Sequence, residues 1–288
     1  MTQKQTHQKQ KQQEKDKFKF MSDKLFSFII KDTKNNNILE SMTKQNITNW
    51  ECFIIGEPNN AKQFIESDSR FHIINPSGNK SDDINNAIKQ VSGQYVIILN
   101  SNDYFIPNAF DYIYEMIEPT NADIIVYSTL FVEKRPILDE KKHKYSFSYT
   151  VRRQAIMKNM FDSLSEFCFK REFLQSVIYC QPEELFIFNI LANTPAIVKS
   201  GLICVLEETR NLDIASSEYR LLIDNFNKHK KSFDNKFWKM YFRNIIPRLL
   251  DAGVYQHDRF SLKYCAKNIP GKYIPWKYKF MLWFAKNI

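Results

Sequence analysis

The sequence predicts an α/β fold, a mostly parallel sheet flanked by helices, with a helical C-terminal extension. Three observations carry the prediction. Between residues 25 and 132, short apolar runs alternate with stretches of helical spacing, the pattern of parallel strands buried on both faces. The 288-residue chain is 43% hydrophobic and 15% aromatic, enough to fill the core of one large domain with an appendage. After residue 214 the pattern turns helical and rich in Lys, Arg, Phe, Tyr and Trp.

The elements follow in order. Leu25–Ile30 is the first strand, a short helix covers 38–45, and Glu51–Ile55 is the second strand. Helical residues 60–67 lead to a third strand at Phe71–Ile74. Ser81–Val91 reads as a helix with Ser81 as its cap and Ile84, Ala87, Ile88 and Val91 on one face. Tyr95–Leu99 is the fourth strand, Pro107–Ile117 a helix with Pro in its first turn, and Ile124–Val132 the fifth strand. Further helices are expected at 151–161, 171–178 and 183–193. In such sheets a ligand lies beyond the carboxyl ends of the strands. The stretches to inspect are therefore Lys31–Lys34, Gly56–Asn60, Asn75–Lys80 and Asn100–Asp103.

Three regions result. Residues 1–20, rich in Gln and Lys and almost free of apolar side chains, are expected to be a disordered basic tail. Met21 opens directly onto the first strand and is a second candidate start codon. A main domain is expected over 21–210, its first half at about 21–135 and its second at about 136–210, and a helical basic and aromatic region over 211–288.

Composition excludes several functions. The six glycines, Gly56, Gly78, Gly93, Gly201, Gly253 and Gly271, are too far apart for G-x-G-x-x-G or a Walker A loop, so no glycine cradle for phosphate can form. The net charge of +9 is uneven: residues 1–20 carry +4, residues 225–288 carry +11, and the stretch between them is acidic at −6. An acidic body with basic ends argues against a nucleic-acid-binding core and for an anionic surface met by the ends. Five widely spaced cysteines without C-x-x-C read as reduced, mostly buried thiols of a cytoplasmic protein. No apolar run is long enough to cross a bilayer, and the N-terminus lacks the apolar core of a signal peptide.

Several segments then fall into one collinear series. Phe26-Ser-Phe-Ile-Ile30, Ser41-Met-Thr-Lys-Gln45 and Asn49-Trp-Glu51 resemble the opening of family-2 glycosyltransferases, with their V-S-V-I-I-P, S-L-L-x-Q and N-W-E pieces. Ser81-Asp-Asp-Ile-Asn85, Gly93-Gln-Tyr95 and Leu99-Asn100-Ser-Asn102-Asp103 are similar to that family's S-x-A-R-N, G-x-Y and L-D-x-D-D. Phe169–Leu174 resembles the segment introducing the acceptor side, and Pro182–Leu191 resembles the G-E-D-x-x-F helix. The series covers roughly residues 25–210.

The resemblance implies a GT-A fold and an inverting transfer of sugar from a nucleotide-sugar donor to a cell-surface glycan or polysaccharide precursor. Without a glycine cradle, a divalent metal, Mn2+ or Mg2+, held by carboxylates at a strand end would neutralise the diphosphate. The implied metal positions are Asn102 and Asp103, where Asn102 offers only a neutral carbonyl oxygen. Asn100, Asn102 and Asp103 would line the diphosphate and ribose, Asn85 stands where the family keeps Arg-Asn, and Glu57 is the acid left in a Gly56-Glu57 pair. Glu184 aligns with the catalytic base, which removes the acceptor's proton.

Each position has a plainer reading. Asp103 also suits a turn cap, and Glu183 and Glu184 suit the acidic first turn of a helix. Loss of acidic positions in the metal motif leaves open a degenerate domain acting as a binding or assembly subunit. It also leaves open an enzyme that neutralises phosphate with Lys31 or Lys80. At the C-terminus, the aromatics of 233–250 suit core packing and a lipid surface equally, whereas 276–288 favours the anionic cytoplasmic face of a membrane, because its apolar residues go nearly all round. A lipid-linked acceptor would be reached there. No nucleic-acid partner is expected.

Overall fold

The structure is a computed structural model, and it describes residues 24–31, 36–56, 62–131, 149–150, 163–181, 183–193, 195–207, 218–231, 233, 235–255 and 259–287. The expected tail at 1–20 and the expected helix at 151–161 lie outside them. The chain forms two units, one of residues up to Thr150 with Leu164–Ile178 and Ala196–Thr209, the other of Val151–Ser163, Tyr179–Pro195 and Arg210–Ile288.

In the first unit the elements run β1 (Phe26–Lys31), α1 (Asn37–Thr43), β2 (Trp50–Ile55), α2 (Lys62–Ser67), β3 (Phe71–Ile74), α3 (Lys80–Gln90) and β4 (Tyr95–Asn100). They continue through β5 (Asp103–Phe105), α4 (Ala109–Ile117), β6 (Ile124–Phe131), β7 (Tyr149–Thr150), β8 (Phe167–Lys170) and α5 (Arg171–Gln175), and α6 (Glu183–Ala192) of the second unit precedes β9 (Ile197–Glu207). The sheet order is β3-β2-β1-β4-β8-β6-β9-β5, with β7 on β9. β3, β2, β1 and β4 are mutually parallel, as their continuous apolar runs predict. Beyond β4, β8 runs antiparallel to both β4 and β6, β9 is parallel to β6, and β5 is antiparallel to β9.

The five strands and the helices at 38–45, 60–67 and 183–193 appear within a few residues of expectation. Two helix starts differ. α3 is capped by Asn79, not Ser81: Asn79 is extended (φ −110°, ψ 108°), and its side-chain oxygen accepts from the N–H groups of Ser81 (3.0 Å) and Asp82 (3.4 Å). Ser81 therefore lies inside the first turn. α4 starts at Ala109 rather than Pro107, because Asn108 is left-handed (φ 61°) and interrupts the helical path after the proline. The helix expected over 171–178 stops at Gln175.

Aromatic packing fills one face of the sheet. Phe28 stacks on Phe110 at 4.8 Å and meets Phe105 at 5.4 Å, while Trp50 meets Phe71 edge-on at 5.4 Å. Two buried polar side chains, Ser41 of α1 and Gln45 just after it, attach this segment to β5 and α4. Ser41 Oγ donates to Ile38 O (2.7 Å) and accepts from Phe105 N–H (3.0 Å). Gln45 Nε2 donates to Ser41 O and Ile106 O (3.0 Å each), and its Oε1 accepts from Phe110 N–H (3.3 Å).

At the amino ends of the parallel strands lies a buried carboxylate. Glu51, 2% exposed, accepts from Ser27 Oγ (2.6 Å), Ser92 N–H (2.6 Å), Ser92 Oγ (3.0 Å), Gly93 N–H (3.3 Å) and Lys24 Nζ (2.5 Å). Gly93 is required there, since a Cβ would stand 2.6 Å from the Phe26 carbonyl carbon. Burial pushes the Glu51 carboxyl up, and the bonds from Lys24, Ser27 and Ser92 more than offset it, leaving it below its ordinary value of 4.5.

In the second unit, α6 is joined by α7 (Glu218–His229), α8 (Asn235–Tyr255), α9 (Arg259–Asn268) and α10 (Lys279–Asn287). Four of the five aromatics of 233–250 are core: Phe237, Trp238, Tyr241 and Phe242 are at most 1% exposed, Phe233 is half-buried, and Phe226 meets Trp238 at 4.7 Å and Phe242 at 5.2 Å. The five cysteines are free thiols, and all but Cys180 are buried. Among the described residues no helix is long and apolar enough to cross a membrane.

Glu51→Gln is expected to destabilise the fold by on the order of 2–3 kcal/mol, because charge-assisted bonds become neutral ones and a donor replaces an acceptor. Because the folded carboxyl lies below its unfolded value, its stabilisation is complete above about pH 4.5 and is lost as pH falls through the folded value. Urea unfolding of both proteins between neutral pH and about pH 3 checks this. The stability difference should shrink on acidification. Gly93→Ala should unfold at lower urea at every pH, because its Cβ meets backbone.

Candidate active site

The parallel strands end in register. Lys31 of β1 stands opposite Ile55 of β2 on one side and Asn100 of β4 on the other, and Ile55 stands opposite Ile74 of β3. This carboxyl edge carries the stretches singled out in the sequence. After β2 the chain turns at Gly56, whose φ of +139° suits only glycine and whose N–H donates to Ile74 O (3.2 Å). The backbone there accounts for glycine where the resembled family keeps an acid. Glu57 lies outside the described residues.

After β3, buried Asp83 accepts from Ser77 N–H (2.7 Å) and Asn79 caps α3, so the loop leading to Lys80 is held by two side chains. Asn85 is half-buried on α3, and its amide donates to Ser81 O (2.8 Å).

The turn after β4 is the centre of the edge. β4 ends at Asn100, Ser101 and Asn102 reverse the chain, and Asp103 begins β5 opposite Glu207 of β9. Asp103 is 1% exposed. Its Oδ2 accepts from Asn100 N–H (2.8 Å) and from the Ser165 hydroxyl, while Asn100 Nδ2 lies 3.5 Å from Ser165 Oγ. The carboxylate thus closes the turn and ties β4 and β5 to the 3-10 turn Leu164–Glu166. Asn102 is half-buried at the tip.

Ser165 and Glu166 were not foreseen from the sequence. Both are buried, Ser165 at 0% and Glu166 at 4%. An acid directly before the apolar Phe167-Cys-Phe run is the signal that could have marked them. Tyr127 lies behind them, fully buried: burial first, then the Cys168 and Cys204 thiols and the carboxylates of Asp103 and Glu166, push its phenol far up and keep it neutral.

A divalent cation does not fit this donor set. The Asp103 carboxylate is turned inward and engaged, Asn102 supplies only a neutral oxygen, and among the described residues no three His, Cys, Asp or Glu side chains are grouped to hold a metal ion. The structure therefore brings Asn100, Asn102 and Asp103 together at one strand end, but with Asp103 as the brace of the turn.

Glu184, the expected base, belongs to the second unit, as the second residue of α6. Its neighbour Glu183 accepts from the hydroxyl of buried Tyr179 (3.3 Å), and burial together with that carboxylate pushes the Tyr179 phenol far up.

A parallel half-sheet with its loops gathered at one carboxyl edge, continued by a mixed half, defines the GT-A class of glycosyltransferase fold. Solved structures agree: S. aureus TarS 1-349 matches with a TM-score of 0.68 at 13% identity, over 91% of this chain and 87% of that one. TarS 1-349 in complex with UDP matches with a TM-score of 0.70 at 13% identity, and its complex with UDP-GlcNAc with 0.67 at 13%, both over the same shares. At that identity the likeness shows the fold. No curated protein matches the sequence. Residues 36–177 match the model of glycosyl transferase family 2.

Two outcomes follow from the turn. Ser165→Ala should cost about 1–3 kcal/mol in urea unfolding, since it removes one donor from a buried carboxylate. Asn102→Asp places a charged oxygen at the tip, and calorimetric titration with Mn2+ should show at least about tenfold tighter binding than the wild-type protein.

Proposed function

We propose that the chain is an inverting glycosyltransferase that moves a sugar from a nucleotide-sugar donor to a glycan or lipid-linked acceptor of a cell-surface polysaccharide pathway, at the cytoplasmic face of a membrane. The observation that carries this reading is the coincidence of the family-2 segment, residues 36–177, with the carboxyl edge that ends in the Asn100–Asp103 turn. The solved TarS complexes with UDP and UDP-GlcNAc, which share the fold, support a nucleotide-sugar donor.

In this mechanism Asn100 and Asn102 donate amide hydrogens to the ribose and diphosphate, and Asp103 holds the turn that presents them. Glu57 and Asn85 line the nucleoside pocket. Glu184 takes the proton of the acceptor hydroxyl as its oxygen attacks the anomeric carbon from the face opposite the diphosphate. The glycosidic C–O bond breaks, the nucleoside diphosphate leaves with its electron pair, and the configuration inverts. Lys31, in register with Asn100 at the strand ends, supplies positive charge toward the leaving group.

A second reading, a binding or assembly subunit without turnover, is favoured by the inward Asp103 carboxylate and the Asn at position 102. One experiment separates the two. Nucleotide sugars are titrated calorimetrically, with Mn2+ and with EDTA, and turnover of any bound donor is followed by nucleoside diphosphate release. The transferase reading expects donor binding that EDTA weakens by less than about tenfold, and a Glu184→Gln variant with turnover reduced by about 10²-fold or more at unchanged donor affinity. Donor binding with no release would establish the subunit reading, and no binding of any donor by the folded protein would overturn both.

A further inference from the structure

The second unit contains an aromatic surface that its own core does not use. Trp276 is 84% exposed, Phe280 73%, Trp283 59% and Phe284 56%. Trp276 opens a 3-10 turn, Trp276–Tyr278, that runs into α10, and positions 276, 280, 283 and 284 recur at the spacing of one helical face. Phe280 and Trp283 stack at 6.1 Å with an interplanar angle of 25°. The inward stripe of α10 is Leu282 and Ala285, 1% and 4% exposed. The helix thus has an occupied apolar face and a second one, larger and aromatic, facing out. Isolated exposed apolar residues are ordinary, but a contiguous aromatic stripe marks an interaction surface.

Charge identifies the occupant. From Arg259 to Ile288 the sequence holds seven Lys and Arg and no Asp or Glu, and Lys272, Lys277 and Lys279 are exposed beside the aromatic stripe. A second copy of the same surface would bring like charges together around the rings, which opposes self-association. An anionic bilayer meets both features. Tryptophan and phenylalanine partition to headgroup depth, and lysines pair with lipid phosphate and carboxylate groups. At nine residues α10 is about 13 Å long, suited to lie in the plane of the interface.

We propose that Trp276, Phe280, Trp283 and Phe284, flanked by Lys277 and Lys279, form the surface by which the full chain docks on an anionic membrane. This rests on the membrane location proposed above and deepens it, assigning the contact to one helix face rather than to the basic segment at residues 1–20.

The protein carries its own reporters. Trp50 and Trp238 are each 1% exposed, whereas Trp276 and Trp283 are open, so a change in tryptophan emission on vesicle binding reports α10 and its leading turn. The full chain is titrated with phosphatidylcholine vesicles with and without about 30% phosphatidylglycerol. With the anionic vesicles, emission should shift to shorter wavelength and be quenched by brominated acyl chains, and with phosphatidylcholine alone it should change little. In co-sedimentation, W276S/W283S should lose at least about tenfold in vesicle affinity, and K277Q/K279Q should weaken binding and its salt dependence, with circular dichroism and donor binding unchanged. If W276S/W283S still sediments as the wild type does, the membrane location stands and this surface assignment falls. If the wild-type chain binds no anionic vesicle, both fall, and donor titration judges the transferase reading separately. A concentration-dependent dimer abolished by W276S/W283S would make the surface a contact between copies, and competition of vesicle binding by a single-stranded oligonucleotide that itself shifts the emission would make it a nucleic-acid surface. Either result overturns the proposal.

Discussion

Glu51 sets the register on which the rest of the first unit depends. β1, β2 and β4 are six residues each and almost wholly buried, so their apolar side chains do little to distinguish one alignment from another. A buried carboxylate does distinguish them. It accepts from β1 through Ser27, sits itself on β2, and receives two N–H groups from the Ser92-Gly93 entry to β4. A slip of one residue would separate the charge from these donors, at a cost of several kcal/mol. Because the strands are equal in length, pinning their amino ends also places their carboxyl ends. Lys31, Ile55 and Asn100 come level roughly 17 Å away, at about 3.3 Å per residue. The candidate site is aligned from the opposite edge of the sheet.

A second brace completes that edge. Ser41 and Gln45 hold the segment from Phe105 to Phe110 against α1, which limits where β5 can lie. β5 begins at Asp103, so the Asn100–Asp103 turn is caught between β4, positioned by Glu51, and β5, positioned by α1. The inward Asp103 carboxylate closes this frame by taking the Asn100 N–H and the Ser165 hydroxyl. The arrangement makes the turn rigid, and it uses for structure the one carboxylate that the turn retains.

This division explains what was legible in the sequence. The residues that carried the resemblance, Ser41, Gln45, Glu51 and Gly93, are buried braces whose identity follows from hydrogen bonding or from the absence of room for a Cβ. Such residues tolerate little change, so they mark the fold independently of the residues at the candidate site. The five expected strands, β1 to β4 and β6, were legible as short, largely buried apolar runs. β5, with three residues, and β8, with four, are too short for a periodic signal, and β9 is broken by Lys199-Ser-Gly201 and pairs with β6 through shifts in register. Asn79 and Asn108 displaced two helix starts because capping depends on backbone angles that residue type alone does not settle. In the candidate site, the proximity of Asn100 and Asp103 was legible. The direction of the Asp103 carboxylate was not, because Ser165 lies 62 residues away in sequence.

The two aromatic and basic segments of the second unit show how far composition can mislead and spacing can correct it. Both interleave rings with lysines. In α8 the apolar positions 237, 238, 241, 242, 245, 246, 249 and 250 recur at three and four residues, so a single face gathers them, and all are buried. The cations at 239 and 243 fall on the other face and are exposed. In α10 the apolar residues run without a break from Phe280 to Ala285, right round the helix. A helix packed on one side can bury only one stripe of such a run. Leu282 and Ala285 take that stripe, which leaves Phe280, Trp283 and Phe284 in solvent whatever the detail of the packing. An unbroken apolar run on a short surface helix therefore leaves one apolar face over, and the membrane contact proposed above rests on that face and the lysines around it.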